Sequence, residues 1–478
     1  MTTLAIRGGT VLTASGAHTV DLVVRDGRID AWRAPGTATD ADEVIDATDL
    51  HVAPGFVDVH THLETVVAGV STADDFASGT RAAAFGGTTS VVDFVRQGPG
   101  EDLLDRLADA SERARGRCAV DYGFHQIVGD VDETSLGQFP QLVAAGVPSV
   151  KLFMAFPGDL YSDDSRLLAA MERAAELGVT VMVHAENGLA MEFLRERARE
   201  RGHLSLPWHA RTATPAIEGE ATRRAIFLAE LAGMPTLYFV HVSSAEALDA
   251  IADARRRGLP VFAETCPHYL YLDVAELDRP WEEGADFVCA PPLRTEEHRE
   301  RLWWALAAGD LSVVSSDHCP FCRSTLFPAD QRDFTKLPGG IAGIEYRAPL
   351  LYDAALRGKI PLSRFVDVTA TTPARLFGMD PDKGSLAPGA HADITLLDPN
   401  GVTRTGPSDH HMRVDHSAFE SLALRGSVHA VLLRGEPLVR KGQWVGPEGH
   451  GRFVHRRQGT ELYDRRALPG RGDGAVSA

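Results

Sequence analysis

Short apolar runs alternate with longer amphipathic stretches from Pro54 to about Gly378, and that rhythm predicts repeated βα units. The runs suited to buried parallel strands are Gly55–His60, Thr89–Phe94, Ala119–Ile127, Ser149–Phe153, Thr180–His184, Leu237–Val242, Val261–Thr265 and Leu311–Asp317. Between them lie helical stretches rich in Ala, Leu, Arg and Glu, such as Asp164–Leu177, Glu218–Ala232 and Ala245–Arg257. Eight such units predict an α/β fold, a (β/α)8 barrel of the TIM type, because barrels with insertions run from about 200 to over 400 residues.

The pattern changes on either side of this region. Residues 3–52 hold short β-rich pieces, Leu4-Ala5-Ile6, Thr10-Val11-Leu12 and Asp21-Leu22-Val23-Val24, with Asp26-Gly27 as a hairpin turn. Beyond Gly378, β-like pieces return at Ala392–Leu397 and Val428–Leu433, followed by the turn Arg434-Gly435-Glu436. The chain therefore divides into a β segment at 1–53, a barrel at 54–378 and a second β segment at 379–446, the two β segments completing one small β-sandwich module. Residues 447–478 are rich in Gly, Arg and His with little apolar periodicity, which predicts a peripheral tail or one that packs on a neighbouring subunit.

Composition narrows the partners. With 48 Lys and Arg against 66 Asp and Glu, the formal charge is −18, so the average surface repels nucleic-acid phosphates and anionic lipid. Neither nucleic acid nor a membrane is an expected partner. The start of the chain lacks a basic segment leading into an apolar one, and no run of about 18 apolar residues occurs. Cysteines at 118, 266, 289, 319 and 322 are too few and too uneven for a disulfide framework. A cytoplasmic protein is the expectation.

The candidate chemistry comes from where polar residues fall on the predicted strands. Side chains at the C-terminal strand ends of such a barrel converge on one mouth, where active sites lie. The first run ends in Asp58-Val59-His60-Thr61-His62, and alternate strand residues point the same way, so His60 and His62 reach toward one metal. The fifth, sixth and eighth runs end in or contain His184, His241 and Asp317, ligand types where a structural residue is normally apolar. A lone histidine is more often a satisfied core residue than a ligand, but four histidines and an aspartate on one rim argue against that explanation. Lys151 lies inside the fourth run, where a bare buried ammonium is costly unless paired or modified. One reading is a lysine reaching the rim or pairing with an acid; the sharper one is carbamylation by carbon dioxide.

These stretches resemble those of dihydropyrimidinases and D-hydantoinases, cyclic amidohydrolases of the amidohydrolase superfamily. The matching motifs are Pro54–Leu63, Gly79–Phe94, Lys151-Leu152-Phe153-Met154-Ala155, His184-Ala185-Glu186-Asn187, His241-Val242-Ser243-Ser244, Glu264–Leu270 and Ser316–Pro320, and the resemblance covers roughly residues 3–446. It implies that His60, His62, carbamylated Lys151 and Asp317 hold one divalent metal, and Lys151, His184 and His241 a second. It further implies a hydroxide bridging the two, with Asp317 moving the proton to the leaving ring nitrogen. Zinc is the usual metal in that family, and manganese, iron or cobalt suit the same ligands. The implied partner is a small cyclic amide, of the hydantoin or dihydropyrimidine type, and the implied assembly a homotetramer.

Three positions depart from the family pattern. Phe156 stands where a tyrosine hydroxyl usually helps bind the carbonyl oxygen under attack, and loss of one such donor costs roughly 2.7–4 kcal/mol. Ala290 and Gly339 replace a serine and an asparagine that recognise the ring largely through their main chain, so both remain substrate-binding candidates. The segment Leu337–Gly343 also resembles allantoinases, while Glu64 takes the place of the arginine that dihydroorotases carry, which disfavours dihydroorotate. The small, apolar character of the loop Glu64–Thr72 predicts an uncharged or apolar substituent on the ring. Cys319 and Cys322 read as bystander thiols. Alternatives are an allantoinase-like enzyme, a hydrolase of linear amides or N-acyl groups, and a non-catalytic scaffold related to dihydropyrimidinase; the last is disfavoured because all six ligand positions hold ligand types.

Overall fold

The computed structural model describes residues 3–326 and 332–459. Its central sheet has eight parallel strands: β1 (Phe56–Thr61), β2 (Thr88–Arg96), β3 (Asp121–Ile127), β4 (Ser149–Phe153), β5 (Thr180–His184), β6 (Leu237–Phe239), β7 (Val261–Thr265) and β8 (Val313–Val314). Each pairs with the next in chain order, so every connection is a crossover of the βαβ kind. All eight predicted runs overlap one of these strands. The ends of the sheet meet through a bridge between Thr61 and His318, and the Ser316 amide donates to Asp58 Oδ1 at 3.0 Å across the seam. That seam closes the (β/α)8 barrel.

Strand alternation separates two apolar layers. Val150 and Leu152 of β4 face the surrounding helices, whereas Phe153 joins Met182, Tyr238, Val240 and Phe262 in the barrel interior. The same alternation turns Lys151 inward from β4, His184 from β5 and Glu264 from β7. Helices Asp164–Leu177 and Ala245–Arg256 fall where the apolar spacing predicts them, and each starts at a side-chain cap, Asp163 and Ser244. No helix among the described residues is long and apolar enough to cross a membrane.

Strands β6 and β8 are shorter than the apolar runs that contain them, and the reason is local. His241 and Asp317 adopt positive φ, 40° and 46°, which turns the chain out of the ladder just beyond each strand. Phe156 also has positive φ, 61°. Non-glycine residues in this conformation carry strain, and here they sit at one end of the barrel.

The N- and C-terminal segments build two further sheets. His51–Pro54 pairs with Ile394–Arg404 in a seven-stranded sheet, and the strands Thr3–Arg7, Asp21–Arg25, Arg28–Arg33 and Glu43–Asp46 form a four-stranded one. Leu4, Ile6, Leu22 and Val24 from one sheet share an apolar core with Val11, Val52, Ile394 and Leu432 from the other. The chain thus leaves and re-enters one sandwich, with the barrel between.

The expectation of a peripheral tail needs correction as far as residue 459. The Tyr122 amide donates to the Arg452 carbonyl at 3.0 Å and the Val454 amide to the Tyr122 carbonyl at 2.7 Å. Arg456 is buried, donating to the Phe124 carbonyl and to Ser149 Oγ. Sparse apolar periodicity hid this segment because main-chain bonds and one buried guanidinium hold it. Residues 460–478 lie outside the described residues.

Candidate metal centre

At the C-terminal end of the barrel, β1, β4, β5, β6 and β8 each deliver a side chain, or the residue just past their end, to one point. His60 Nε2 lies 3.0 Å and His62 Nε2 3.2 Å from the same oxygen, Asp317 Oδ1. Lys151 Nζ is 3.1 Å from His60 Nε2. The His184 ring stands 4.5 Å from that of His241, whose ring is 5.5 Å from that of His60. The six candidate ligands, distant in the chain, therefore share one cluster.

Lys151 is 2% exposed and sits over the rings of Phe94 and Phe153, at 4.3 and 4.9 Å from their centroids. Burial pulls its ammonium down to about 8, a pull that Asp317 and Glu264 only partly oppose. Burial likewise holds His62 down to about 4 and His241 well below the usual imidazole range, leaving both neutral, the form that ligates a cation. Burial opposes the charge on Asp317, but the facing His60 and His62 outweigh it and keep the carboxylate ionised.

The atoms around the cluster test whether a metal suits it. His241 Nδ1 is buried with no hydrogen-bond partner among the described residues. A buried orphan of this kind is costly unless something absent from the protein itself engages it. His60 uses Nδ1 on Glu264 Oε1, which leaves Nε2 facing Asp317 and Lys151, and His184 uses Nε2 on Glu186 Oε2 at 2.7 Å, which leaves its Nδ1 for another partner. Glu264 is itself held by the Tyr238 hydroxyl at 2.8 Å. The donor set fits a divalent cation. Cys266 and His268 also bring ligand atoms near Asp317, but burial keeps the Cys266 thiol protonated.

Glu264 and Glu186 have no role in the sequence reading, although the signal was present: each is an acid buried at or just after the end of an apolar run. Substituting Glu264→Gln keeps the shape of the side chain and removes its charge. Metal affinity measured by chelator competition should fall about 10–100-fold, the cost typical of losing an outer-shell carboxylate. Unchanged affinity would remove Glu264 from the centre.

Above the cluster lies a cavity of about 260 Å³. It is lined by His62, Lys151, His184, His241 and Asp317, and also by Phe156, Ala290 and Gly339, so the substrate-binding candidates face the same space. The Phe156 ring is 5.1 Å from that of His184. Gly339 packs beside Cys289 and Ala290, where an added Cβ would meet the Cys289 backbone at 3.5 Å. The neighbouring Gly340 has no such room, because a Cβ there would lie 2.2 Å from the Cys319 carbonyl oxygen. Arg195, His209 and Phe334 also line the cavity, and no motif pointed to them.

A family model described as the amidohydrolase family matches residues 51–438. The chain belongs to the amidohydrolase family. This amidohydrolase is 48% identical over 455 residues to a D-hydantoinase from Streptomyces coelicolor, covering 94% of this chain and 97% of that one. It is 43% identical to a D-hydantoinase from Geobacillus stearothermophilus, covering 95% and 96%. Among solved structures, a dihydropyrimidinase from Brevibacillus agri superposes with a TM-score of 0.93 at 45% identity, covering 96% of this chain and 99% of that one. The resemblance read from the motifs is borne out along nearly the whole amidohydrolase chain. The family implies a divalent metal centre, and His60, His62 and Asp317 offer ligand atoms within 4.8 Å of one another.

Proposed function

We propose that this amidohydrolase opens a cyclic amide of the hydantoin or dihydropyrimidine type with water, at a centre of two divalent metals. The observation that carries the reading is the convergence of His60, His62 and Asp317 beside a buried lysine and a substrate-sized cavity. His60, His62, Lys151 and Asp317 would hold one ion, and Lys151, His184 and His241 the other; zinc is the metal of choice, with manganese, iron or cobalt suiting the same donors. When bound, the pair supplies an activated water at neutral pH and polarises the amide carbonyl.

Lys151 is read as N6-carboxylysine. Its lowered pKa raises the fraction of neutral amine, which adds to carbon dioxide and releases one proton to give a carbamate. That anion turns a costly buried cation into an oxygen donor. Asp317, ionised and next to His60 and His62, accepts the proton of the attacking water and returns it to the ring nitrogen as the C–N bond breaks. Main-chain groups at Ala290 and Gly339 hold the ring amide, and Phe156 covers one side of it. The working form is read as a homotetramer on family resemblance, and as cytoplasmic on the cysteine pattern and the character of the N-terminal residues.

Purified protein given zinc or manganese and bicarbonate should open at least one five- or six-membered cyclic ureide or imide; inactivity across a broad panel with both metals bound sinks the substrate class. Phe156 supports a second reading, hydrolysis of linear amides, because a phenyl ring cannot donate to the carbonyl oxygen. Substituting Phe156→Tyr separates the two. On cyclic amides the added hydroxyl should raise kcat by about tenfold or more, up to the about 10²–10³-fold that one oxyanion donor supplies elsewhere. A gain confined to linear amides would favour the second reading.

A further inference from the structure

Helix Gly188–Glu200 buries Gly188, Met191 and Ala198. Position 195 lies on that same stripe, four residues after Met191 and three before Ala198, where an apolar residue is the rule. It holds an arginine instead. Arg195 lines the cavity above the cluster, and its Nε is buried with no hydrogen-bond partner among the described residues. Other arginines nearby are neutralised: Arg96, also in the cavity wall, pairs with Asp159, and Arg199, on the same helix, pairs with Asp333 at 3.3 Å. Arg195 forms no ion pair among the described residues. Glu186, whose charge acts on it most, is engaged by His184.

A partly buried guanidinium without an anion is costly, and its planar fork matches a carboxylate. Ring opening itself creates a carboxylate, but at the carbonyl under attack, beside Lys151 and Asp317. The charged groups that act on Arg195 are Glu186 and Glu192, and Arg195 in turn acts on His209, which pairs through Nε2 with the Cys289 carbonyl at 2.8 Å. Arg195, His209, Cys289 and Ala290 all line the cavity, as do Val67 and Ala68 of the loop Glu64–Thr72.

We propose that Arg195 is a specificity-determining residue that binds a carboxylate on the exocyclic substituent of the ring, so that acidic cyclic amides are preferred over apolar ones of equal length. The proposal rests on the ring-opening reading and goes against the uncharged substituent predicted from the loop Glu64–Thr72.

The test compares hydantoin bearing a 5-carboxyethyl group with 5-propylhydantoin. Wild-type protein should show the higher kcat/KM on the acid. Arg195→Met should lower the acid-to-propyl ratio of kcat/KM about tenfold or more, mainly through KM for the acid, and Arg195→Lys should keep part of the preference. Calorimetry in an Asp317→Asn background reads binding with turnover strongly slowed, and there the acid should bind about tenfold more weakly once Arg195→Met is added. If no cyclic amide turns over but that weakening is seen, the carboxylate site stands and the ring-opening reading falls. A wild-type preference for the propyl compound, or equal losses on both compounds in Arg195→Met, overturns the proposal.

Discussion

Asp317→Asn is expected to lower kcat by about 10²–10⁴-fold, the range that a positioned general acid–base group contributes. The exchange isolates chemistry from folding. Asparagine has the shape of aspartate and tolerates the left-handed backbone that Asp317 adopts at φ 46°, so the turn after β8 is kept. What disappears is the charge that both His60 Nε2 and His62 Nε2 face, and with it the proposed acceptor for the proton of water. The measurement is steady-state kcat on a cyclic amide alongside metal content by elemental analysis. A variant with near wild-type kcat would show that another group moves the proton, and Asp317 would keep at most a ligand's role.

Lys151→Met is expected to strip metal from the protein and to reduce activity by more than the about 10–100-fold that loss of an outer-shell partner costs, because the proposed centre would lose a ligand common to both ions. Compared as metal-free proteins, the variant should match or exceed the wild type in thermal stability. The methionine side chain suits the space between Phe94 and Phe153, and removing a desolvated ammonium removes a cost rather than an interaction. The three readouts together exclude a trivial failure to fold. Metal content and activity both at wild-type level in Lys151→Met would contradict the proposed centre, as would crystals grown with metal and bicarbonate that show a bare ammonium at this position.

Much of this architecture is legible from local patterns. Strand alternation makes the inward direction of Lys151, His184 and Glu264 a consequence of sequence parity, and apolar runs of strand length located all eight barrel strands. Polar residues at the ends of those runs marked His60, His62, His184, His241 and Asp317, because an ionisable group there has no reason to be buried except to meet something. Other features depend on segments that meet only after folding. Arg195 stands out only once the helix presents it to the cavity, since an arginine in a sequence such as Leu194-Arg195-Glu196-Arg197 looks like a solvated helix face. Arg456 shows the same limit, as the carbonyl of Phe124 and the hydroxyl of Ser149 that bury it lie more than 300 residues earlier.

The sequence alone determined the barrel, the flanking sandwich and the identity of the six clustered side chains, because periodicity and strand parity are properties of neighbours in the chain. Tertiary structure decided that His60 and His62 face Asp317 through Nε2, that Glu264 and Glu186 engage His60 and His184, that residues up to 459 pack against the barrel, and that the cavity lining includes a cation without an ion pair among the described residues. Those outcomes depend on distances between remote segments, set by how the barrel closes between Thr61 and His318.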